Sequence, residues 1–207
     1  MTDRYLSVAR EARVKIAVGA CRFIASVSRS DSEKEARAFI ETVSSEFHNA
    51  THNVFAYIIG HDDRTIFRSC DAGEPAGTAG SVILQVIKKR GLTNVTLVGT
   101  RYFGGVKLGI GGLIRAYRLC AERGLEEAGQ AEAVSYIVLS VKVEYGQLGS
   151  VLREVESTCG EVKNVDYIAD GVVIHCCIPT SAAEIFKSKL LDLTKGKGDI
   201  SCYPAEG

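Results

Sequence analysis

Between Gly104 and Gly112 five of nine residues are glycine: Gly104, Gly105, Gly109, Gly111 and Gly112. The run lies between an apolar stretch that reads as a strand and one that reads as a helix. Glycine there permits left-handed backbone angles and lets a ligand approach the main chain. The start of the following helix offers free N–H groups and the positive end of its dipole. Arg101 and Lys107 flank the run, and Arg115 falls on what reads as the first helical turn. Together these residues describe an anion site, most simply one for phosphate. The structural alternative is a tight turn that packs a helix on a sheet. So many glycines cost much conformational entropy, which makes a purely structural use less economical.

Established phosphate fingerprints do not fit. A Walker loop ends in Gly-Lys-Ser/Thr, and no such triplet follows Gly104, Gly105 or Gly109. Gly109-Ile110-Gly111-Gly112 lacks the last glycine of the dinucleotide motif. His48 and His52 are four apart, but the metal-protease pattern needs Glu after the first, where Asn49 stands. No metal site is expected. Cys70 beside Asp71 can be drawn as a nucleophile with His52 as its base, yet nothing local supports it. Glu74 is the acid closest to the glycines, able to orient Arg101 or Arg115 by ion pairing or to act as a base. Seven irregularly spaced cysteines without a Cys-x-x-Cys read as free thiols, mostly buried. No catalytic residue and no cofactor is assigned from these patterns.

The elements that must position these groups follow from periodicity. Lys15–Ser28 alternates as a strand. Ser30-Asp31-Ser32-Glu33 reads as a capping box for a helix through Ala36, Phe39, Ile40, Val43 and Phe47, ending near His48. Val54–Ile59 and Thr65–Ser69 read as strands joined by a His61-Asp62-Asp63 turn. Val82, Ile83, Val86 and Ile87 form a helix stripe with Lys88, Lys89 and Arg90 at its end, stopped by Gly91. Val95–Val98 reads as a buried strand running into the glycines. Leu113, Ile114, Tyr117, Ala121 and Leu125 line the next helix, which ends near Gly129.

From about Glu132 the order changes to β-α-β-β-α-β. Leu139–Tyr145 alternates strictly. Leu148–Val155 is helical and closed by Gly160. Glu161–Ile168 and Val172–Ile178 flank an Ala169-Asp170-Gly171 hairpin. Ser181 and Glu184 read as a capping box, and Ile200–Tyr203 as a last strand. That is the ferredoxin-like pattern, with Lys195-Gly196-Lys197-Gly198 as a solvated tip. No cluster of reactive groups is expected in this half. The expected fold class is therefore α+β in two domains, 1–131 and 132–207.

Composition sets the outer bounds. The net charge is zero, 25 basic against 25 acidic residues. It is unevenly spread: residues 1–131 hold 18 Lys+Arg and 14 Asp+Glu, the remainder 7 and 11. From Pro75 to Ala121 there is no acid at all, while Lys88, Lys89, Arg90, Arg101, Lys107, Arg115 and Arg118 are basic. Such a stretch points to an anionic partner. A solvated face balanced by acids from elsewhere is the plainer alternative. The longest apolar runs are about five residues, against roughly 20 for a membrane span. The charged N-terminus does not read as a secretory signal. A cytoplasmic location is expected.

Three segments are similar to the signature of the IMPACT/YigZ family. They are Ala50-Thr51-His52-Asn53, the stretch Gly73-Glu74-Pro75-Ala76-Gly77-Thr78-Ala79-Gly80, and Arg101-Tyr102-Phe103-Gly104-Gly105-Val106-Lys107-Leu108-Gly109-Ile110-Gly111-Gly112-Leu113-Ile114-Arg115-Ala116-Tyr117. The likeness is strong over Ala20–Gly129. Cys70-Asp71-Ala72 departs from the family's usual Ser-Asp-Asp. The resemblance implies a ribosomal S5 domain 2-like fold for the N-terminal domain and a ferredoxin-like C-terminal domain. It implies His52, Glu74, Gly77, Thr78 and Gly80 as a supporting motif beside the glycine loop. Eukaryotic relatives regulate translation through an additional N-terminal domain, which this sequence is expected to lack.

Three functions are compatible with this reading. The favoured one is a noncatalytic RNA- or ribosome-associated regulator of translation, gripping phosphates with Arg101, Lys107, Arg115 and the glycine loop. The second is an enzyme acting on a small phosphorylated substrate at that loop. Against phosphoryl transfer, no metal-binding acid adjoins it. The third is an interaction module whose basic face meets an acidic protein. Oligomeric state is not legible.

Overall fold

The structure, a computed structural model, describes residues 3–60, 65–196 and 198–203. The chain divides into two compact units, Tyr5–Ala133 and a second that runs from Val134 and includes Arg4. The His61-Asp62-Asp63 turn and Lys197 lie outside the described residues.

The first unit is built on a five-stranded antiparallel sheet. Its strands are β2 (Ala12–Val18), β3 (Cys21–Arg29), β4 (His52–Ile59), β5 (Ile66–Cys70) and β6 (Val95–Tyr102), in the order β2-β3-β6-β4-β5. The segment expected as one strand from Lys15 is a hairpin. Gly19, at φ 57°, turns it. A separate pair joins β1 (Arg4–Val8) to β7 (Gln130–Val134). Neither was legible in the pattern, because both are short and largely exposed.

The pleat sends alternate residues of β4 to opposite faces. Val54, Ala56 and Ile58 meet α2 (Gly80–Lys89) and α3 (Gly109–Ala128) in the main core, with Phe23, Leu97, Ile83 and Tyr117. Phe55, Tyr57 and Ile59 face α1 (Glu33–Glu46) through Ala36 and Ile40. The capping box of α1 sits two residues later than its sequence reading. Ser32 accepts from the Glu35 backbone at 3.2 Å, and Glu35 accepts from the Asp31 N–H at 2.8 Å. Ser30 is instead buried against Thr96, 2.8 Å away. This unit has the ribosomal S5 domain 2-like fold.

The second unit contains β8 (Tyr136–Val143), α4 (Leu148–Ser157), β9 (Glu161–Ile168), β10 (Gly171–Pro179), α5 (Ala183–Leu193) and β11 (Asp199–Tyr203). Its sheet order, β11-β8-β10-β9, is the ferredoxin-like arrangement. Leu139, Val141, Ile174, Cys176 and Ile178 form its core with Val151, Val155, Phe186 and Leu190 from the helices. Cys176 is buried and Cys177 is half-buried, as adjacent positions on a strand require. The box expected at Ser181 does not form. A 3-10 turn, Thr180–Ala182, precedes α5, and Ser181 donates to the Asp3 carboxylate instead.

Candidate functional site

The last two residues of β6 and the one that follows carry side chains with different tasks. Arg101 turns toward the helices, Tyr102 to the opposite face, and Phe103 is exposed. The Arg101 guanidinium donates from Nη1 to both oxygens of Glu74, at 2.8 and 3.0 Å, and from Nη2 to the Cys21 sulfur at 3.5 Å. Tyr117 of α3 donates to the same Glu74 carboxylate at 2.7 Å. The side chains of Arg101 and Glu74 are only 7% and 2% exposed. Burial opposes the charge on Arg101, and its hydrogen bonds to Cys21 and Glu74 outweigh that, so its pKa lies above the ordinary arginine value. Burial, reinforced by the bond to Glu74, pushes the Tyr117 hydroxyl upward and keeps it a neutral donor.

This corrects the sequence reading of Arg101. It is a buried partner of Glu74 rather than a surface contact for phosphate. A strand residue next to glycines reads as exposed from local pattern, and only the fold brings Glu74 across from a distant loop. Of the two roles open to Glu74, ion pairing is the one seen.

His52 begins β4 and stands over this pair. Its Nδ1 lies 2.9 Å from the Ala72 carbonyl and its Nε2 3.9 Å from Glu74 Oε2. His48 lies beyond the end of α1, so the two histidines do not share a helix face. Thr51 holds the loop from below, accepting the Phe103 N–H at 2.9 Å. Together Thr51, His52, Glu74, Pro75, Arg101, Phe103, Lys107, Leu108, Gly109, Ile110 and Leu113 line a cavity of about 380 Å³. Small-ligand sites span roughly 300–1,000 Å³.

The glycines divide by task. A Cβ on Gly104 would fall 1.9 Å from the Ala20 carbonyl oxygen, so this glycine lets two backbones touch. Gly105 and Gly109 have φ of 87° and 70°, and a Cβ on either would meet nothing within 4 Å. They turn the chain and leave bare backbone beside open space. Gly111 and Gly112 lie in the first turn of α3, and Gly111 is crowded only by the tip of Arg115, at 3.5 Å. The helix starts at Gly109, without a side-chain cap or an acid in its first turn. Arg115 is therefore in the second turn rather than the first. Lys107 and Arg115 are both exposed.

Gly77, Thr78 and Gly80 serve a neighbouring centre that sequence reasoning did not single out. Asp71 accepts from the backbone N–H groups of Gly77, Ala79 and Gly80 at 2.8, 3.1 and 2.8 Å. It thereby closes the N-terminus of α2. Thr78 is buried and donates to the Pro75 carbonyl at 2.7 Å. Gly80 packs on the Cys70 backbone, where a Cβ would come within 2.6 Å. The signal was present in an acid placed nine residues ahead of a helix that has no side-chain cap of its own.

Among the described residues no three His, Cys, Asp or Glu side chains are grouped as a metal ion would need. One further constellation appears in the second unit, where no reactive cluster was expected. Ser140 Oγ is 2.6 Å from His175 Nδ1, and His175 Nε2 is 3.0 Å from Asp166. Its burial runs opposite to a hydrolytic triad: Ser140 is 5% exposed, whereas the Asp166 side chain is 53% exposed. A nucleophile must be reachable and its orienting acid shielded. This is a cross-strand polar link of β8, β10 and β9. No helix of the described residues is long and apolar enough to cross a membrane.

Comparison with known proteins agrees with this architecture. Residues 20–125 match the Impact N-terminal domain model, and residues 135–206 match the Elongation factor G C-terminus model. The chain is 37% identical to the IMPACT family member YvyE of Bacillus subtilis, over 97% of this chain and 91% of the relative. It is 32% identical to the IMPACT family member YigZ of Escherichia coli, over 84% and 86%. A crystal structure of a hypothetical protein superposes over the full length of both chains with a TM-score of 0.70 and 28% identity. These matches span most of the chain, and the chain belongs to the IMPACT family.

Proposed function

We propose that the protein is a noncatalytic, RNA- or ribosome-associated regulator of translation that holds a phosphate of its partner at the mouth of this cavity. The observation that carries the reading is the charge of the rim. Glu74 is the one acid among the lining residues, and Arg101 neutralises it within the wall. Lys107 and the uncapped N-terminus of α3 then face the opening without opposition, and Arg115 and Arg118 continue the cationic surface along α3. Phe103, 45% exposed, offers a ring on which a base can stack. The gripping residues are thus Lys107, Arg115 and the backbone of Gly109 and Gly111, with Arg101 in support.

Co-sedimentation with ribosomes and bulk RNA across a salt series tests this, using wild type beside Lys107→Glu/Arg115→Glu. Both positions are exposed, so the variant should fold. Binding should weaken with salt by about 0.7 log units per log unit of salt for each single-strand phosphate held. The variant should bind markedly less at every salt. Equal binding by both proteins, or none at low salt, overturns the proposal.

A second reading rests on the size of the cavity and on His52 beside a buried carboxylate: a small phosphorylated molecule is the ligand. A thermal-shift screen against phosphorylated metabolites separates the two, because a bound small ligand raises Tm by mass action.

A further inference from the structure

A second cavity, of about 490 Å³, lies on the face of the five-stranded sheet opposite the main core. Phe23, Ala25 and Val27 of β3 point into that core, so Arg22 and Ile24 between them point away from it. On this face α1 covers Tyr57 and Ile59 of β4, while Lys15, Ala17 and Arg22 of β2 and β3 stay exposed. Lys15, Arg22, Ile24, Phe47, Asn49 and Tyr102 line the cavity, and no acid among the described residues joins them. Arg22 is the cross-strand partner of Tyr102, and its guanidinium lies over that ring, 5.2 Å from the centroid. Stacked there, it keeps its N–H edge for an anion. Arg13, on the same face, is already paired with Glu46 at 2.5 Å. Lys15 and Arg22 have no carboxylate within ion-pair distance among the described residues. Asn49 accepts from the Tyr102 hydroxyl at 2.8 Å, which leaves its amide N–H groups to donate.

Two cations, an amide and the rings of Phe47 and Tyr102 around Ile24 suit a nucleotide. The phosphate takes the cations and the base takes a ring. An acidic peptide would satisfy the cations, but its carboxylates gain nothing from the rings. The two cavities meet at one rim. Thr51, His52, Arg101 and Phe103 line the first, and Asn49 and Tyr102, from the same two segments, line this one. The Thr51 N–H donates to the Arg101 carbonyl at 2.9 Å and fastens the rim. We infer that the second cavity holds a further nucleotide of the same RNA strand, which crosses the end of β6 from the Phe103 side to the Tyr102 side. Its phosphate lies on Lys15 and Arg22, and its base lies on Phe47. This inference rests on the RNA reading above and extends the contact to the other face of the sheet.

The chain contains no tryptophan, so Phe47→Trp places a single indole at this cavity and nowhere else. Its emission is followed while a short labelled oligouridine is added, and the anisotropy of that RNA reports total binding. A base stacked on the indole should quench it over the same concentrations that raise the anisotropy. Lys15→Ala/Arg22→Ala in this background should abolish the quenching. The same pair in the wild-type chain, which needs no indole, should lower the salt slope of binding by about 0.7, the share of one single-strand phosphate. RNA binding without quenching, and with a salt slope unchanged by Lys15→Ala/Arg22→Ala, overturns the second cavity and leaves the RNA reading standing. Quenching with undiminished affinity in Lys107→Glu/Arg115→Glu keeps this cavity and overturns the first as the RNA grip. Failure of every RNA to bind at low salt overturns both. Equal quenching by poly-glutamate assigns the face to an acidic protein, and equal quenching by free uridine monophosphate assigns it to a small molecule. Either result overturns the RNA contact.

Discussion

Glu74 and Arg101, 27 residues apart, form a two-pronged ion pair at 2.8 and 3.0 Å inside the wall of the candidate site. Desolvating two charges is costly, and their pairing offsets that cost only while both are present. Glu74→Ala should therefore destabilise the first unit by about 3–5 kcal/mol, since it strands a buried guanidinium. Arg101→Ala should be similarly severe. The double variant should cost less than the sum of the singles, because it leaves no orphaned charge. Chemical denaturation of the four proteins measures the coupling. Additive losses would mean that the pair is not a unit.

Asp71 organises the entry to α2 by taking three backbone N–H groups. Asp71→Ala should cost about 1–2 kcal/mol, the value of a lost helix cap. Asp71→Asn keeps one acceptor oxygen and should recover part of it. Hydrogen exchange at Ala79 and Gly80 locates the effect: their amides should lose protection first in Asp71→Ala.

These two centres show what the sequence could and could not reveal. Periodicity located the helices that carry Ile83 and Tyr117, because a buried face repeats every three to four residues. The ferredoxin-like order was equally legible, since strict alternation in β8 and the hairpin at Gly171 are local signals. The site motifs were recognisable as residues, but their roles were not. Arg101 looked like a surface cation because burial of a charge depends on a distant partner, here Glu74. Asp71 was passed over because the N–H groups that donate to it are brought to it by chain geometry rather than by a helical spacing. The Ser140–His175–Asp166 link joins three strands and has no sequence pattern of its own.

The glycines of the loop should respond to alanine in two different ways. At Gly104 the new Cβ would overlap the Ala20 backbone, so Gly104→Ala must displace the turn that carries Ala20 or the loop that follows β6. At Gly105 the space is open, and the penalty is the left-handed backbone alone, φ 87°, about 1–2 kcal/mol. Gly104→Ala should therefore lower Tm more than Gly105→Ala does. A crystal structure of Gly104→Ala should show the Ala20 turn displaced. Equal, small shifts in both would mean that the Ala20 contact is readily relieved.

The thiols provide a test of burial that does not depend on function. Burial pushes the Cys120 thiol up to about 12. Burial does the same for Cys176, also to about 12, with neighbouring Cys177 adding to it. At about pH 8 such groups are roughly one part in ten thousand thiolate, the form that reacts. Cys70 and Cys159 are exposed. Brief alkylation of the native protein, read by peptide mass spectrometry, should modify Cys70 and Cys159 and spare Cys120 and Cys176. Unfolding in denaturant should make all four react at similar rates. The two protected thiols report on separate cores, Cys120 on α3 against the five-stranded sheet and Cys176 on β10 against α4 and α5. Graded denaturant should therefore release them at different midpoints if the two units unfold independently. A single shared midpoint would show that they unfold as one cooperative block, and rapid native labelling of Cys120 would contradict the packing of α3 described here.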